Sequence, residues 1–354
     1  MDLLTASRLA TFRRCPRQHY LRYELGLSRI RTSDALRIGS AYHKGLEVYA
    51  LGGGEDEAIR QACEGYGTPP EYVEPYDWAI EGVVVEQLLR GYFDRYRDDQ
   101  LNLFEVEDVF QVPLRCGPRR VSRKFRLAGK RDGLAVLPDE RLALVEYKTT
   151  SEDIGPDSDY WLRLRCDQQI ALYVLAARQD GWDVATVIYD AARKPSIQPY
   201  RATPDDRRKY KADGTLYANQ HDFDEPPAMY AQRVFDDIRA RPEWYFARRE
   251  VPILHDELAR VETEIWQQSQ AILDARKHGR WYRNVDRFTC SYCQFAGICI
   301  ENSSVENGNI PSGYEKLDDV HPELGQGGNH ATNNNAAGNA ADPADTEIEY
   351  TAAY

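Results

Sequence analysis

Two β-rich segments joined by a short turn constrain the fold of this chain more than any other feature. Segments 124–137 and 142–150 flank Pro138–Glu140 and are rich in residues that favour strands. A hairpin centred on Asp139 would give partners whose numbers sum to 278, so that Asp132 lies opposite Glu146. The two Cβ atoms would then be about 5 Å apart. Because two carboxylates at that distance repel each other, we expect a hard cation, Mg²⁺ or Mn²⁺, between them.

A lysine and two helical side chains extend this acidic pair. Lys148 lies two residues after Glu146, on the same face of the strand. From there its ammonium could orient an attacking water and offset charge that develops on a phosphate. In a predicted helix over 159–179, Gln169 and Tyr173 are four residues apart and share a face. Both could direct polar groups at the same site.

His43 is a candidate nitrogen ligand, in a helix predicted over 39–50. A single histidine is more often a packed or surface residue, and a single Glu-x-Lys in a strand is common. The combination is more informative than its parts, because all of these residues appear in one order on matching elements.

The order of predicted elements indicates an α/β fold with a mixed central sheet flanked by helices. We expect one domain over 1–300, followed by a tail over 301–354. Within the domain, the predicted parts are a helical part over 1–100, an α/β core over 101–195, and a helical region with a cysteine clasp over 196–300. The predicted helices cover 1–25, 39–50, 77–98, 159–179, 228–240 and 254–278, and the predicted strands cover 103–115, 124–137, 142–150 and 184–190.

The net charge of −12 comes mostly from the tail. Residues 301–354 contain ten acids and one base, which leaves 57 − 10 = 47 acids and 45 − 1 = 44 bases in residues 1–300. A nearly neutral body can still carry basic patches that attract phosphate. The tail has few large apolar residues, so we expect it to be disordered and acidic.

Three of the seven cysteines, Cys290, Cys293 and Cys299, lie within ten residues. This spacing is typical of metal ligands rather than of disulfides in a cytosolic protein. A closed tetrahedral zinc site or a cubane cluster needs a fourth thiolate.

Taken together, these motifs resemble the PD-(D/E)xK nuclease superfamily, in the branch that contains RecB, AddB and the nucleases of CRISPR adaptation. That branch has a helical His, a strand Asp, a strand Glu-x-Lys and a helical Gln-x-x-x-Tyr. The matching residues are His43, Asp132, Glu146 with Lys148, and Gln169 with Tyr173. The resemblance implies a restriction-endonuclease-like core with a catalytic Lys148. It implies metal ligands from His43, Asp132, Glu146 and the Tyr147 carbonyl.

The N-terminal segment SRLATFRRCPRQHY resembles that of the iron–sulfur members of this branch. In those members one early cysteine and three late ones hold a 4Fe–4S cluster. The resemblance implies that Cys15 is the fourth ligand and that the clasp joins the two ends of the domain. Zn²⁺ bound by the same four thiolates stays open as the alternative.

Basic residues flank the acidic pair and predict contacts with DNA. The run over 115–131 has eight bases and no acid, and it leads to Asp132. Such a run could follow a phosphate backbone. A solvated strand face is the alternative interpretation. The predicted DNA contacts are Arg119, Arg120, Arg123, Lys124, Arg37 and Lys44.

The leading hypothesis is a metal-dependent DNA exonuclease acting on single strands or duplex ends in recombination, repair or phage DNA processing. The alternatives are a nuclease of CRISPR adaptation and a non-catalytic DNA-binding partner, and the complete set of acids and lysine disfavours the latter. No G-x-x-x-x-G-K-S/T loop is present, so unwinding would need a helicase or recombination protein as partner. We expect a cytoplasmic protein of a prokaryote or phage that does not associate with membranes.

Overall fold

The computed structural model describes residues 1–165, 167–301, 305 and 308–325. Its strands are β1 (Asp2–Leu4), β2 (Leu27–Arg29), β3 (Asn102–Cys116), β4 (Arg120–Val136), β5 (Leu142–Thr150), β6 (Val184–Arg193), β7 (Phe246–Pro252) and β8 (Tyr314–Lys316). Its helices are α1 (Ala6–Arg14), α2 (Pro16–His19), α3 (Asp34–Ala50), α4 (Glu55–Glu64), α5 (Pro75–Arg95), α6 (Asp159–Leu164), α7 (Gln168–Gln179), α8 (Pro227–Ala240), α9 (Pro242–Tyr245), α10 (His255–His278), α11 (Arg287–Ser291) and α12 (Ala296–Ile300).

Six strands form the central mixed sheet. The long strand β4 is antiparallel to β3 on one side. On its other side it pairs first with β1, in parallel at residues 125–127, and then with β5, antiparallel at residues 133–136. Strand β6 is parallel to β5, and β7 closes the sheet as an antiparallel edge. The predicted mixed sheet is confirmed.

Helices cover both faces of the sheet, so each face buries its own hydrophobic core. One core contains α1, α7 and α10, with Leu127, Leu172 and Ile265 among its buried side chains. The other contains α3, α5 and α8, with Leu88 and Val145. This arrangement explains why β5 is buried along nearly its whole length.

The N-terminal segment differs from the single helix that the sequence predicts. Thr5 caps α1, since its side chain accepts a hydrogen bond from the Arg8 amide at 3.2 Å. Ahead of this cap, β1 extends the sheet, and after α1 the chain bends at Cys15 before Pro16 opens α2. Pro16 lacks an amide hydrogen, so it suits the first turn of a helix and not its interior.

The prediction that the tail is disordered from residue 301 is wrong for residues 308–325, which we call the C-terminal strap. Its strand β8 pairs with β2, and Leu317 donates its amide hydrogen to Gly26 at 2.8 Å. Tyr314 stacks on Phe295, with ring centroids 5.8 Å apart, and His321 is buried. A prediction from composition does not account for these few aromatic contacts. The rest of the tail, residues 326–354, lies outside the described residues.

Other expectations need smaller corrections. The helix predicted over 159–179 is divided into α6 and α7, and Asp167 caps the second. Neither α4 nor β7 was predicted. No helix among the described residues is long and apolar enough to cross a membrane.

Candidate metal and catalytic site

Asp132 lies on β4 at the point where β4 separates from β5 in the central sheet. Strands β4 and β5 pair from Gly133↔Val145 to Val136↔Leu142, so the partner numbers sum to 278, as predicted. Extending this register places Glu146 across from Asp132. Beyond the ladder, Asp132 Oδ2 accepts a hydrogen bond from the Tyr147 amide at 2.8 Å. The carboxylate accepts the hydrogen bond that a backbone carbonyl of β4 would accept in a continuous ladder. It does so at the point where β4 leaves β5 and runs toward β1.

A third carboxylate, that of Glu107, comes from β3 and was not predicted. On both sides of this residue the partners in β3 and β4 sum to 239, which places Glu107 across from Asp132. Its φ of 53° lies in the left-handed region, which non-glycine residues rarely adopt. Lys130 forms an ion pair with Glu107. Burial and then Asp132 raise the pKa of Glu107 to about 7, although Lys130 opposes them.

His43 reaches the same point from the helix α3. Ile38, Tyr42 and Leu46 recur every four residues on this helix and are all buried, which fixes its rotation against the sheet. His43 Nδ1 then lies 3.6 Å from Asp132 Oδ1. Burial alone would lower the pKa of His43, but the neighbouring carboxylates, Asp132 above all, outweigh it and raise the pKa.

Glu146 and Lys148 are held together by a side chain from α7. Glu146 Oε1 is 2.9 Å from Lys148 Nζ and accepts a hydrogen bond from Gln169 Nε2 at 2.9 Å. Lys148 Nζ donates in turn to Gln169 Oε1 at 3.3 Å. The Tyr173 hydroxyl accepts from Gln169 Nε2 at 3.2 Å. The structure thus brings together the strand and helix residues that the sequence singled out.

Tyr173 can take this position because Gly129 of β4 has no side chain. A Cβ atom on Gly129 of β4 would lie 2.7 Å from both Tyr173 Cε1 and Phe110 Cζ. Any larger residue at position 129 would displace one of the two rings.

The charges of this site fit a divalent cation. Burial would lower the pKa of Lys148, but Glu146 and Asp167 outweigh it and raise the pKa well above its ordinary value. Burial raises the pKa of Glu146, whose Oε2 atom is buried with no hydrogen-bond partner among the described residues. A buried carboxylate oxygen without a partner is costly, and a metal ion would satisfy it.

Only one group of three potential metal ligands within the described ranges has all its ligand atoms within 4.8 Å of one another. It consists of His43, Glu107 and Asp132. Imidazole nitrogen and carboxylate oxygen are suitable ligands for Mn²⁺, and the carboxylates suit Mg²⁺. The residues present therefore fit a divalent metal.

A family model described as "PD-(D/E)XK nuclease superfamily" matches residues 3–300. The chain belongs to this superfamily. Membership makes it a nuclease that depends on a divalent metal, with DNA as the substrate that this implies. A solved structure titled "Crystal structure of SSO0001" aligns with 84% of this chain and 85% of that chain, at 13% identity and a TM-score of 0.35. No curated protein matches the chain.

For this PD-(D/E)XK nuclease, the predicted DNA contacts have different surroundings. Arg119, Arg120, Arg123 and Lys124 are exposed at the far end of the β3–β4 hairpin. Lys124 precedes Asp132 by eight residues, or about 26 Å along a strand. These four residues are thus remote from the acids, and their contact with DNA stays a prediction.

Arg37 is a structural residue, which corrects its prediction as a DNA contact. Its Nε atom donates to Glu81 Oε2 at 2.9 Å, and its guanidinium lies over the ring of Trp78. Held on both sides and 13% exposed, this guanidinium is not available to a phosphate. Lys44 is 44% exposed and pairs with Glu47 at 3.1 Å, and its role stays a prediction.

Four cysteines of the nuclease lie near one another where the N-terminal segment contacts residues 284–299. Cys15 is buried between α1 and α2, and its Sγ accepts a hydrogen bond from the Asn284 amide at 3.4 Å. Burial raises the pKa of the Cys293 thiol, and the nearby thiols of Cys15, Cys299 and Cys290 raise it further. The structure therefore gathers the four ligands that the sequence proposed.

Proposed function

We propose that this protein is a DNA exonuclease of the RecB/AddB-like branch, acting on single strands or duplex ends in recombination, repair or phage DNA processing. The observation that carries the proposal is the meeting of three carboxylates, His43 and Lys148 where β4 leaves β5.

The metal ligands that we assign are His43, Glu107, Asp132, Glu146 and the Tyr147 carbonyl. The N–H and C=O groups of one strand residue point toward the same neighbouring strand. Because the Tyr147 amide points at Asp132, its carbonyl faces the same opening. A bound Mg²⁺ or Mn²⁺ would acidify a water molecule and withdraw charge from the scissile phosphate.

Lys148 acts in this site as a cation and not as a base. Its raised pKa keeps the ammonium protonated at neutral pH. A protonated Nζ can donate a hydrogen bond to the attacking water or to a phosphate oxygen, which offsets the charge of the transition state. Gln169 orients this ammonium, and Tyr173 in turn orients Gln169.

The depth of the site supports a single strand or a frayed end as substrate. His43 is 14% exposed, Asp132 12% and Lys148 7%, and Glu146 is fully buried. One flexible strand enters such a recess more readily than a rigid duplex does, which favours attack on single strands or near an end.

The test compares linear and circular single-stranded DNA of one sequence, in Mn²⁺, in Mg²⁺ and in EDTA. We expect metal-dependent degradation of linear DNA and little cleavage of circles. Asp132→Asn and Lys148→Ala should abolish degradation. Asp139→Asn, in the exposed turn of the same hairpin, is the matched control and should cut as the wild type does. Equal cleavage of circles would exclude an exonuclease, and unchanged activity of both site variants would refute the site.

We also propose that Cys15, Cys290, Cys293 and Cys299 hold a 4Fe–4S cluster of structural role. The four thiols lie near one another, since, besides burial, Cys15, Cys299 and Cys290 all raise the pKa of the Cys293 thiol. Four thiolates can bind either a cubane or tetrahedral zinc, and the resemblance of the N-terminal segment to the iron–sulfur members favours the cubane.

Iron, sulfide and zinc analysis of anaerobically purified protein tests the cluster. We expect about four irons per chain and a brown colour. Cys15→Ser should lose both, whereas Cys116→Ser, a half-buried thiol outside the clasp, should keep them. One zinc and no iron would replace the cluster with a zinc site on the same ligands.

A further inference from the structure

The polar segment between β6 and α8 contains a small hairpin that no part of the proposed nuclease site uses. Tyr210 and Leu216 form an antiparallel bridge. On either side of it, Lys211 donates its amide hydrogen to Thr215 at 2.7 Å, and Tyr217 donates to Lys209 at 3.3 Å. Partner numbers sum to 426, so the hairpin spans residues 209–217.

The turn is built by its own sequence. Gly214 has a φ of +82°, which suits the left-handed position of a three-residue hairpin loop. Asp213 Oδ1 accepts hydrogen bonds from the Thr215 amide at 2.9 Å and from the Thr215 hydroxyl at 2.6 Å. These contacts give the hairpin a defined shape despite its polar composition.

The hairpin has two different faces. Directly opposed residues share a face, so Lys209, Lys211 and Tyr217 lie on one side, and Tyr210 and Leu216 on the other. Lys209 and Lys211 are exposed and Tyr217 is 49% exposed, while the other side carries no charge and joins the half-buried Leu216 to Tyr210, which is 58% exposed. We call the side with the two lysines and Tyr217 the outward face.

The base of the hairpin is fixed to the body. Glu225 is 2% exposed and pairs with Arg233 at 2.6 Å. Its Oε2 atom accepts a hydrogen bond from the Tyr200 amide at 3.0 Å. The rings of Tyr200 and His221 stack at 4.3 Å. The hairpin is thus held on an ordered stem.

The lysines of the outward face keep their charge for a ligand. Within the described part of the chain, no carboxylate forms an ion pair with Lys209 or Lys211. Three acids of this segment are engaged elsewhere: Asp205 with Arg208, Asp213 in the turn, and Asp224 with Arg201.

The stem leaves the sheet beside the proposed catalytic strand. The Lys194 amide, one residue after β6, donates to the Thr150 carbonyl at 2.7 Å. Thr150 follows Lys148 by two residues at the end of β5. The segment that leads to the hairpin therefore leaves the sheet next to the end of β5, two residues beyond Lys148.

We propose that the outward face binds the single-stranded DNA substrate outside the site, with one base stacked on Tyr217 and backbone phosphates on Lys209 and Lys211. An exposed ring beside two unpaired cations is the combination that binds single strands without sequence preference. An aliphatic surface would favour a protein partner, and the only large aliphatic side chain of the hairpin, Leu216, lies on the other face. The choice of DNA as ligand rests on the proposed function.

Fluorescence anisotropy with a labelled single strand of about 16 nucleotides tests this contact in EDTA, where no cleavage occurs. Tyr217→Ala should weaken binding about tenfold, because base stacking contributes more than 1 kcal/mol. Tyr217→Phe keeps the ring and should bind like the wild type. Tyr210→Ala is the matched control on the opposite face and should change the affinity little.

A salt titration tests the two lysines separately. The double variant Lys209→Ala/Lys211→Ala should reduce the slope of log K against log salt by about 1.4, since each phosphate contact on a single strand contributes about 0.7. Replacing residues 209–217 with Gly-Gly, which can bridge the paired ends, should reproduce both losses.

Wild-type affinity in the Gly-Gly variant would overturn the inference and would leave the face to a protein partner. Equal losses in Tyr210→Ala, Tyr217→Ala and Tyr217→Phe would also overturn it, since that result means a collapsed hairpin. A wild type that binds through the hairpin but cuts nothing in Mn²⁺ would refute the nuclease proposal alone.

Discussion

Removing residues 308–354 should destabilise this nuclease, whereas removing residues 326–354 should not. The first truncation deletes the C-terminal strap and uncovers side chains beneath it, among them Phe295 at 0% exposure and Leu27 at 4%. Full burial of a large apolar side chain stabilises by about 1.5 to 3 kcal/mol. If Phe295 and Leu27 each lose about half of that, and the contacts of Tyr314 are lost with the strap at a similar cost, the loss is about 3 kcal/mol. This corresponds to about 5 °C in Tm for a domain of about 300 residues, at about 2.1 cal/mol/K of unfolding entropy per residue.

Thermal unfolding followed by circular dichroism measures the difference between the two truncations. The shorter deletion is the matched control, since it removes four of the ten acids of the tail while keeping the strap. A thiol titration in 4Fe–4S-free protein gives a second readout, because removing the strap should speed modification of Cys293. Equal Tm values for both truncations would refute the reasoning and would mean that β2 and Phe295 are covered by other contacts.

Three further predictions concern charge. Glu107→Gln should stabilise the metal-free protein by up to about 3 kcal/mol at pH 8 and by nothing at pH 4.5. The reason is that a carboxyl group whose pKa is raised to about 7 by folding destabilises the fold only as the pH rises above the unfolded pKa of 4.5. Chemical denaturation at the two pH values measures the difference, and an equal effect at both would contradict the prediction. Burial, and then Arg8, lower the pKa of His19 to about 2, so His19 stays neutral in the folded protein. The wild type should therefore lose about 1.4 kcal/mol of stability per pH unit below 6.5. His19→Gln should flatten that slope in the same assay. Arg123→Ala/Lys124→Ala should weaken binding of long but not short oligonucleotides in a binding assay, since these residues are remote from the acids, and an equal loss for both lengths would contradict this.

The pair Asp132 and Glu146 was predictable because a short turn fixes the register of its hairpin. Only five residues separate Val136 from Leu142, and no bulge interrupts the paired positions. Alternation along β5 then places Lys148 as well. Local rules suffice when the turn is close to the site and the ladder is regular.

Glu107 could not be found in the same way. At the turn between β3 and β4, partners such as Cys116 and Arg120 sum to 236, and that register would pair Asp132 with Phe104. A register shift between Pro113 and Arg115 changes the sum to 239. No residue pattern in this segment predicts the bulge, so the sequence alone does not place Glu107 beside Asp132.

Errors over the tail and Arg37 have a common physical origin. The tail was judged by its average polarity and Arg37 by its position near His43 in the sequence, whereas a few specific contacts decide the outcome. Tyr314 and His321 suffice to dock the strap, and Glu81 suffices to withdraw Arg37 from the surface. Composition predicts the solvation of a segment but not the partners of individual side chains.

The pairing of first with last segments has a consequence for biosynthesis. Asp2 pairs with Arg276 at 2.5 Å, and β2 pairs with β8. At a translation rate of about 5 to 20 residues per second, β8 is synthesised about 15 to 60 s after its partner strand β2. During that time the ribosome carries a nascent chain in which the apolar surface around β2 is exposed. Chaperone binding to the nascent chain should therefore persist until the codons for β8 have been read.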